Sequence, residues 1–196
     1  MVEIFKHLIS LSTLIFLSAC TPTNYIPTPV TDFLDPPIIL SCPEHRVVSD
    51  ASRIEKFVDG DTQGLIDVDF KATITNMRLA CESNVDKQSK LGSMDVSISL
   101  DFLAERGPAN SLGNSKFLYF LAITDRNYKI LYRESFKVSF TFETKSSRLI
   151  MSSKPITVEL PIQKETTNED YIIFSGFQTS REQLNRNRLE KMQREN

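Results

Sequence analysis

Met94-Asp95-Val96-Ser97-Ile98-Ser99-Leu100-Asp101-Phe102 is the stretch that decides the fold. Apolar side chains stand at every second position, with Asp or Ser between them. Successive side chains of an extended chain point to opposite faces, so this pattern makes one apolar and one polar face, a half-buried β-strand. The same period recurs on both sides. Ile66, Val68, Phe70, Ala72 and Ile74 alternate with Asp67, Asp69, Lys71 and Thr73. The phase then slips to Met77, Leu79 and Cys81, which predicts a bulge near Thr75-Asn76. Downstream, Phe136, Val138, Phe140 and Phe142 alternate, as do Ile156, Val158, Leu160 and Ile162. Phe117–Ile123 is apolar on both faces and reads as a central strand covered on both sides, and Tyr171–Phe177 closes the set.

Arg106-Gly107-Pro108, Asp125-Arg126-Asn127 and the polar run Lys164–Asp170 supply turn chemistry between these strands. Six or seven strands with no amphipathic helices between them predict an all-β fold, an antiparallel β-sandwich over residues 38–178. Ser49–Val58 reads as a short helix with Ile54, Phe57 and Val58 inward. The tail, residues 179–196, reads as a C-terminal α-helix opened by a capping box at Thr179-Ser180-Arg181-Glu182. Its apolar residues are only Leu184, Leu189 and Met192, so docking is expected through its first turn or two. Arg181, Arg186, Arg188, Lys191 and Arg194 outnumber Glu182, Glu190 and Glu195. That excess is read as a solvated face, with an anionic surface as the alternative.

The chain has 196 residues, 40% of them apolar, with 23 Lys+Arg against 25 Asp+Glu. This is an ordinary globular composition of one domain, with no basic footprint for nucleic acid. Leu8–Leu17 (LISLSTLIFL) carries no charge but is too short to span a bilayer, which needs roughly 20 residues. It suits the apolar region of a signal peptide, and a multi-span channel or transporter is excluded. Residues 21–37 hold five of the nine prolines. Proline fixes φ and lacks an N–H donor, so this segment reads as an extended spacer. At ~3.1 Å per residue it reaches about 50 Å.

Leu17-Ser18-Ala19-Cys20 resembles the lipobox of bacterial lipoproteins. That resemblance implies a signal peptide over residues 1–19 and Cys20 as the mature N-terminus, with covalent lipid on its sulfur and a further acyl chain such as palmitate on its amine. Residues 20–37 then become a lipidated tether, and two or more acyl chains hold a membrane stably. Thr21 stands where lipoproteins retained in the inner membrane carry Asp, so the resemblance implies the outer membrane, facing the periplasm. Cys42-Pro43, Cys81, Arg106-Gly107-Pro108, Gly176-Phe177-Gln178 and Asn187-Arg188 resemble small alphaproteobacterial lipoproteins, a likeness that implies no activity.

With Cys20 assigned to lipid, Cys42 and Cys81 form an even pair in an oxidising compartment, and a disulfide is the favoured reading. Zinc competes, because Cys42-Pro43-Glu44-His45 has Cys-x-x-His spacing and Cys81 offers a third ligand. A second metal reading is a weak calcium candidate, Asp59, Asp61 and Asp67, in Asp59-Gly60-Asp61-Thr62-Gln63-Gly64. This run resembles the start of an EF-hand loop but has Phe70 where a bidentate Glu belongs, so a glycine-containing turn is favoured and no metal is assigned.

His45 is the one histidine of the mature chain, and there is no Gly-x-Ser-x-Gly, no phosphate loop and no His-Glu-x-x-His. No catalytic residue and no cofactor beyond the lipid on Cys20 is therefore expected. The leading expectation is a non-enzymatic, lipid-anchored module bound to an envelope protein or the cell wall. Its rivals are a carrier of a small hydrophobic ligand, with a pocket lined by Phe117, Tyr119, Phe136, Phe140 or Phe174, and an envelope hydrolase using acidic residues.

Overall fold

A computed structural model of the chain describes residues 38–58 and 64–195. Nine strands occur among them: β1 (Glu44–Val47), β2 (Arg53–Phe57), β3 (Val68–Val85), β4 (Gly92–Arg106), β5 (Asn114–Thr124), β6 (Ile130–Thr141), β7 (Arg148–Ser152), β8 (Ile156–Ile162) and β9 (Ile172–Phe177). One helix, α1 (Arg181–Glu195), follows. A four-stranded sheet has the order β1-β9-β5-β6, and a five-stranded sheet has β2-β3-β4 with both β7 and β8 on the outer side of β4. The expected all-β sandwich with a C-terminal helix is the observed fold.

The Met94–Phe102 alternation does what its period requires. Met94, Val96, Ile98, Leu100, Phe102 and Ala104 are all completely buried. Burying side chains of this size contributes ~1.5–3 kcal/mol each for the larger ones. The opposing wall is β5, where Phe117, Tyr119, Leu121 and Ile123 point inward. Phe117 sits among four rings, 5.0 Å from Phe102, 5.0 Å from Phe177, 5.7 Å from Phe140 and 6.4 Å from Phe70. The predicted bulge is present as a register shift between Ile74 and Asn76 in the β3–β4 ladder.

The structure corrects several expectations. The strands number nine because β1, β2 and β7, each four or five residues long, are too short to display a period. Ser49–Val58 is a 3-10 turn at Ser49–Ala51 followed by β2. Ile54 is buried opposite Ala72, whereas Val58 is exposed. A ten-residue helix with so little apolar surface has too little packing to offset its nucleation, and pairing along β3 satisfies the backbone instead. Ile66 lies in a 3-10 turn, Leu65–Asp67, and is exposed, so β3 starts at Val68. The antiparallel rule has one exception, since β1 pairs with β9 in parallel.

α1 is capped one residue later than predicted, with the Ser180 hydroxyl accepting the Gln183 N–H at 3.2 Å. Leu189 and Met192 are exposed, and docking runs through polar side chains instead. Asn187 donates to the carbonyls of Asp50 (2.6 Å) and Arg53 (3.0 Å), and Arg188 Nε donates to Asp50 Oδ2 at 2.7 Å. Buried Gln183 accepts the Glu55 N–H at 3.4 Å. Two of these bonds, to the Arg53 carbonyl and from the Glu55 N–H, occupy outward backbone groups of β2, an edge strand, and so cover that edge.

Candidate functional site

Where the chain enters the sandwich it is clamped. Cys42 and Cys81 form a disulfide, Cα–Cα 5.5 Å, closing a loop across 39 positions. Both sulfurs are committed to each other, so neither is the thiolate that the zinc reading needs. Ser83 Oγ donates to the Ile38 carbonyl at 2.9 Å, Asn168 Nδ2 donates to the Ser41 carbonyl at 2.8 Å, and Pro43 is buried. Asx and Ser side chains are thus supplying partners to backbone that no strand pairs.

The other residues singled out in the sequence scatter. Cys20, Asp59 and Asp61 lie outside the described residues. The Asp67 carboxylate accepts the Gly64 N–H at 3.2 Å and closes a turn. His45 is exposed on β1. Phe117, Tyr119 and Phe140 are buried in the ring cluster, and Phe136 stacks on Tyr119 at 5.4 Å. Phe174 is on the opposite side of its sheet, 6.2 Å from Tyr128. The Tyr119 hydroxyl is pushed up by burial, partly offset by its hydrogen bond with Ser153. Two of the helix cations are used in docking, Arg188 on Asp50 and Arg186 at 5.5 Å from the Phe57 ring.

What the structure brings together is a basic face. In the β5–β6 ladder Lys116 pairs with Ser139, Leu118 with Lys137, Phe120 with Ser135 and Ala122 with Arg133. Phe117, Tyr119 and Leu121 face the core, so these alternate residues all point outward. Leu118 is 42% exposed there, so β5 is not covered on both sides as its sequence suggests. Arg133 lies over the Phe120 ring at 4.9 Å. Gln178 reaches across to Ser135 at 2.6 Å.

Lys56, at the end of β2, joins this group. A cleft of about 320 Å³ is lined by Lys56, Lys116, Phe117, Leu118, Lys137 and Gln178. It adjoins a wider one of about 660 Å³, which shares Lys56 and Lys116 and continues to Asp69, Ser115 and Phe140. Asp69 brings one carboxylate to that wider cleft, where it accepts the Ser115 hydroxyl at 2.8 Å while Asn110 Nδ2 donates to Ser115 Oγ at 2.9 Å. Among the described residues, Lys56, Lys116 and Lys137 have no carboxylate partner, although seven ion pairs form elsewhere. Such a face attracts anions, most strongly at low ionic strength.

No short motif announces these lysines, because 60 and 21 positions separate them along the chain. The partial signal was the alternation Arg133, Ser135, Lys137 opposite Phe136 and Val138, which marks the outer side of β6 as basic.

The chain matches no protein family model and no curated protein. Among solved structures it is similar to the variable (V) domain of the Streptococcus agalactiae AgI/II polypeptide BspA, at 8% identity over 66% of this chain and 73% of that one. The TM-score is 0.20, a likeness too slight to bear on fold or function.

Proposed function

We propose that this chain is a lipid-anchored, periplasm-facing envelope module that works without chemistry, by holding another envelope protein or the cell wall. The observation that carries this reading is the Cys42–Cys81 disulfide, placed five residues beyond the proline-rich segment. Disulfides form and persist in oxidising compartments. This one ties Cys42 to Cys81, four residues from the end of β3, so tension on a tether passes into the sandwich through a covalent bond. The leader, with Leu17-Ser18-Ala19-Cys20, supplies the address and the lipid. Ser83, bonded to Ile38, and Asp69, in the wider cleft, are 14 positions apart on β3, ~45 Å at ~3.3 Å per residue. The basic clefts therefore lie toward the end of β3 away from Ile38, where a partner is within reach.

Mass spectrometry of the mature N-terminal peptide, combined with envelope fractionation, tests the reading. The expected product is a diacylglyceryl-modified Cys20 in the outer-membrane fraction. An intact Met1 or an unmodified Cys20 would refute the lipid anchor. Site-directed photo-crosslinking in intact cells that captures neither an envelope protein nor peptidoglycan from any exposed position would refute the holding role.

A further inference from the structure

The sandwich has four sheet edges, and three of them are covered, interrupted or short. α1 side chains bond the outward groups of β2. The β7–β8 edge is interrupted between Ser152 and Ile156, where Pro155 lies, and carries Pro161 within β8. β1 is only four residues long. Coverage, proline and shortness are three ways of blunting an edge. β6 has none of these three, and only the charges of Arg133, Glu134 and Lys137 guard it. It runs twelve residues without proline, and among the described residues it pairs with β5 alone. Its inward side chains Tyr132, Phe136 and Val138 touch the core but are only partly buried, as if one more strand belonged beside them. Its outward side chains include Arg133 and Lys137, next to Lys116 and exposed Leu118. Glu134, on the inward side, is engaged by the Tyr132 hydroxyl.

We propose that β6 takes up an extended segment of a partner protein as an added strand, and that this segment alternates apolar and acidic residues. Main-chain hydrogen bonds along a free edge supply affinity, and alternate side chains supply specificity. On the inner side, apolar partner residues would cover Tyr132, Phe136 and Val138. On the outer side, carboxylates placed four residues apart would fall beside Arg133 and Lys137, and cross-strand pairs of opposite charge are favourable. The hairpin leading into β6 is held in place for such contact. Tyr128 sits at φ 62°, a conformation rare for a bulky residue, while Asp125 Oδ1 accepts the N–H groups of Asn127 and Lys129 at 2.9 Å each. Ile130 and Leu131, which open β6, are half or more exposed. This inference rests on the holding role proposed above and names its surface and the chemistry of its partner.

The test uses the full disulfide-bonded chain and a synthetic ten-residue peptide alternating valine and glutamate. Binding is read by fluorescence anisotropy, and hydrogen exchange locates it. The expected result is new protection confined to the edge-facing amides of residues 130–141, and at least tenfold weaker binding by an Arg133→Glu, Lys137→Glu variant with an unchanged melting temperature. Two peptides N-methylated on alternate amides make the test independent of any variant. An added strand points every second N–H at β6, so one frame abolishes binding and the other retains it. Equal binding by both frames, protection outside β6, or undiminished binding by the charge-reversed variant would each overturn the proposal. Binding to phosphatidylglycerol vesicles but not to the peptide would overturn it too and assign the face to a membrane. Failure with a lipid-modified Cys20 sinks only the β6 surface, whereas an unmodified Cys20 sinks the anchor and leaves the β6 result standing.

Discussion

On the outside of the five-stranded sheet, the cations of β3 and β7 are answered across the strands. Lys71 meets Glu55 at 2.7 Å, Arg148 meets Glu105 at 3.0 Å, and Arg78 meets Asp101 at 2.8 Å, with the Ser152 hydroxyl donating to the same Asp101 oxygen at 2.6 Å. On the outside of the four-stranded sheet, Lys116 faces Ser139 in the ladder and Lys137 faces Leu118, so neither meets a carboxylate. Both sheets bury one face in a shared core, so stability demanded nothing different of their exteriors. Among the described residues, one exterior pairs these cations and gathers its unpaired charge as carboxylates, at Glu82, Asp95 and Glu159. The other keeps charge and apolar area unspent, which is the condition of a surface that awaits a partner.

Variants on the two sheets should behave differently, and the largest effect belongs to the staple on β3. Reducing the Cys42–Cys81 bond, or replacing both residues by Ser, is expected to cost about 4 kcal/mol through the entropy of the unfolded chain. Calorimetry with and without reductant measures it, and an unchanged melting temperature would break the link drawn between staple and domain. Asp101→Ala, which strips Arg78 and Ser152 of their shared acceptor, should cost about 1 kcal/mol in urea titrations. Lys137→Ala should stay within about 0.5 kcal/mol of the parent, since it removes no pairing. Equal losses at Asp101 and Lys137 would erase the contrast between the exteriors.

A smaller effect separates the helix from both sheets. Arg188 holds the Asp50 carboxyl below its ordinary range, chiefly through the hydrogen bond between them. A depressed folded-state pKa contributes stability above the unfolded value, about 3.9, that is lost as pH falls through the folded value. Hydrogen exchange should therefore show α1 loosening below about pH 4 before the sheets do. The smallest effect has the opposite sign. Glu82, Asp95 and Glu159 stand side by side across β3, β4 and β8. Like charges in cross-strand register are destabilising, so Asp95→Asn should raise stability by a few tenths of a kcal/mol.

Long strands were legible because a helix, with its period of 3.6, cannot sustain a strict two-residue alternation such as that of Met94–Phe102 on one face. The slip between Ile74 and Met77 even located a bulge. β1, β2 and β7 were not legible, since four or five residues carry no reliable period. The docking of α1 escaped the sequence for a different reason. Helix amphipathicity looks for apolar stripes, whereas Gln183 and Asn187 attach this helix by satisfying backbone groups that exist only once β2 is an edge. The disulfide could be anticipated by counting cysteines, because covalent partners are few.

Taken alone, the amino-acid order determined which residues face inward, because the period of an extended chain is set by covalent geometry and the hydrophobic effect sorts its two sides. It also favoured the pairing of Cys42 with Cys81 and placed a capped start of the tail within one residue. Only the tertiary structure decided which charges meet. Register places Asp101 within reach of Arg78 and leaves Lys116 and Lys137 facing Ser139 and Leu118. The free edge of β6 is likewise a property of strand order, which depends on contacts far apart in sequence and leaves no local trace.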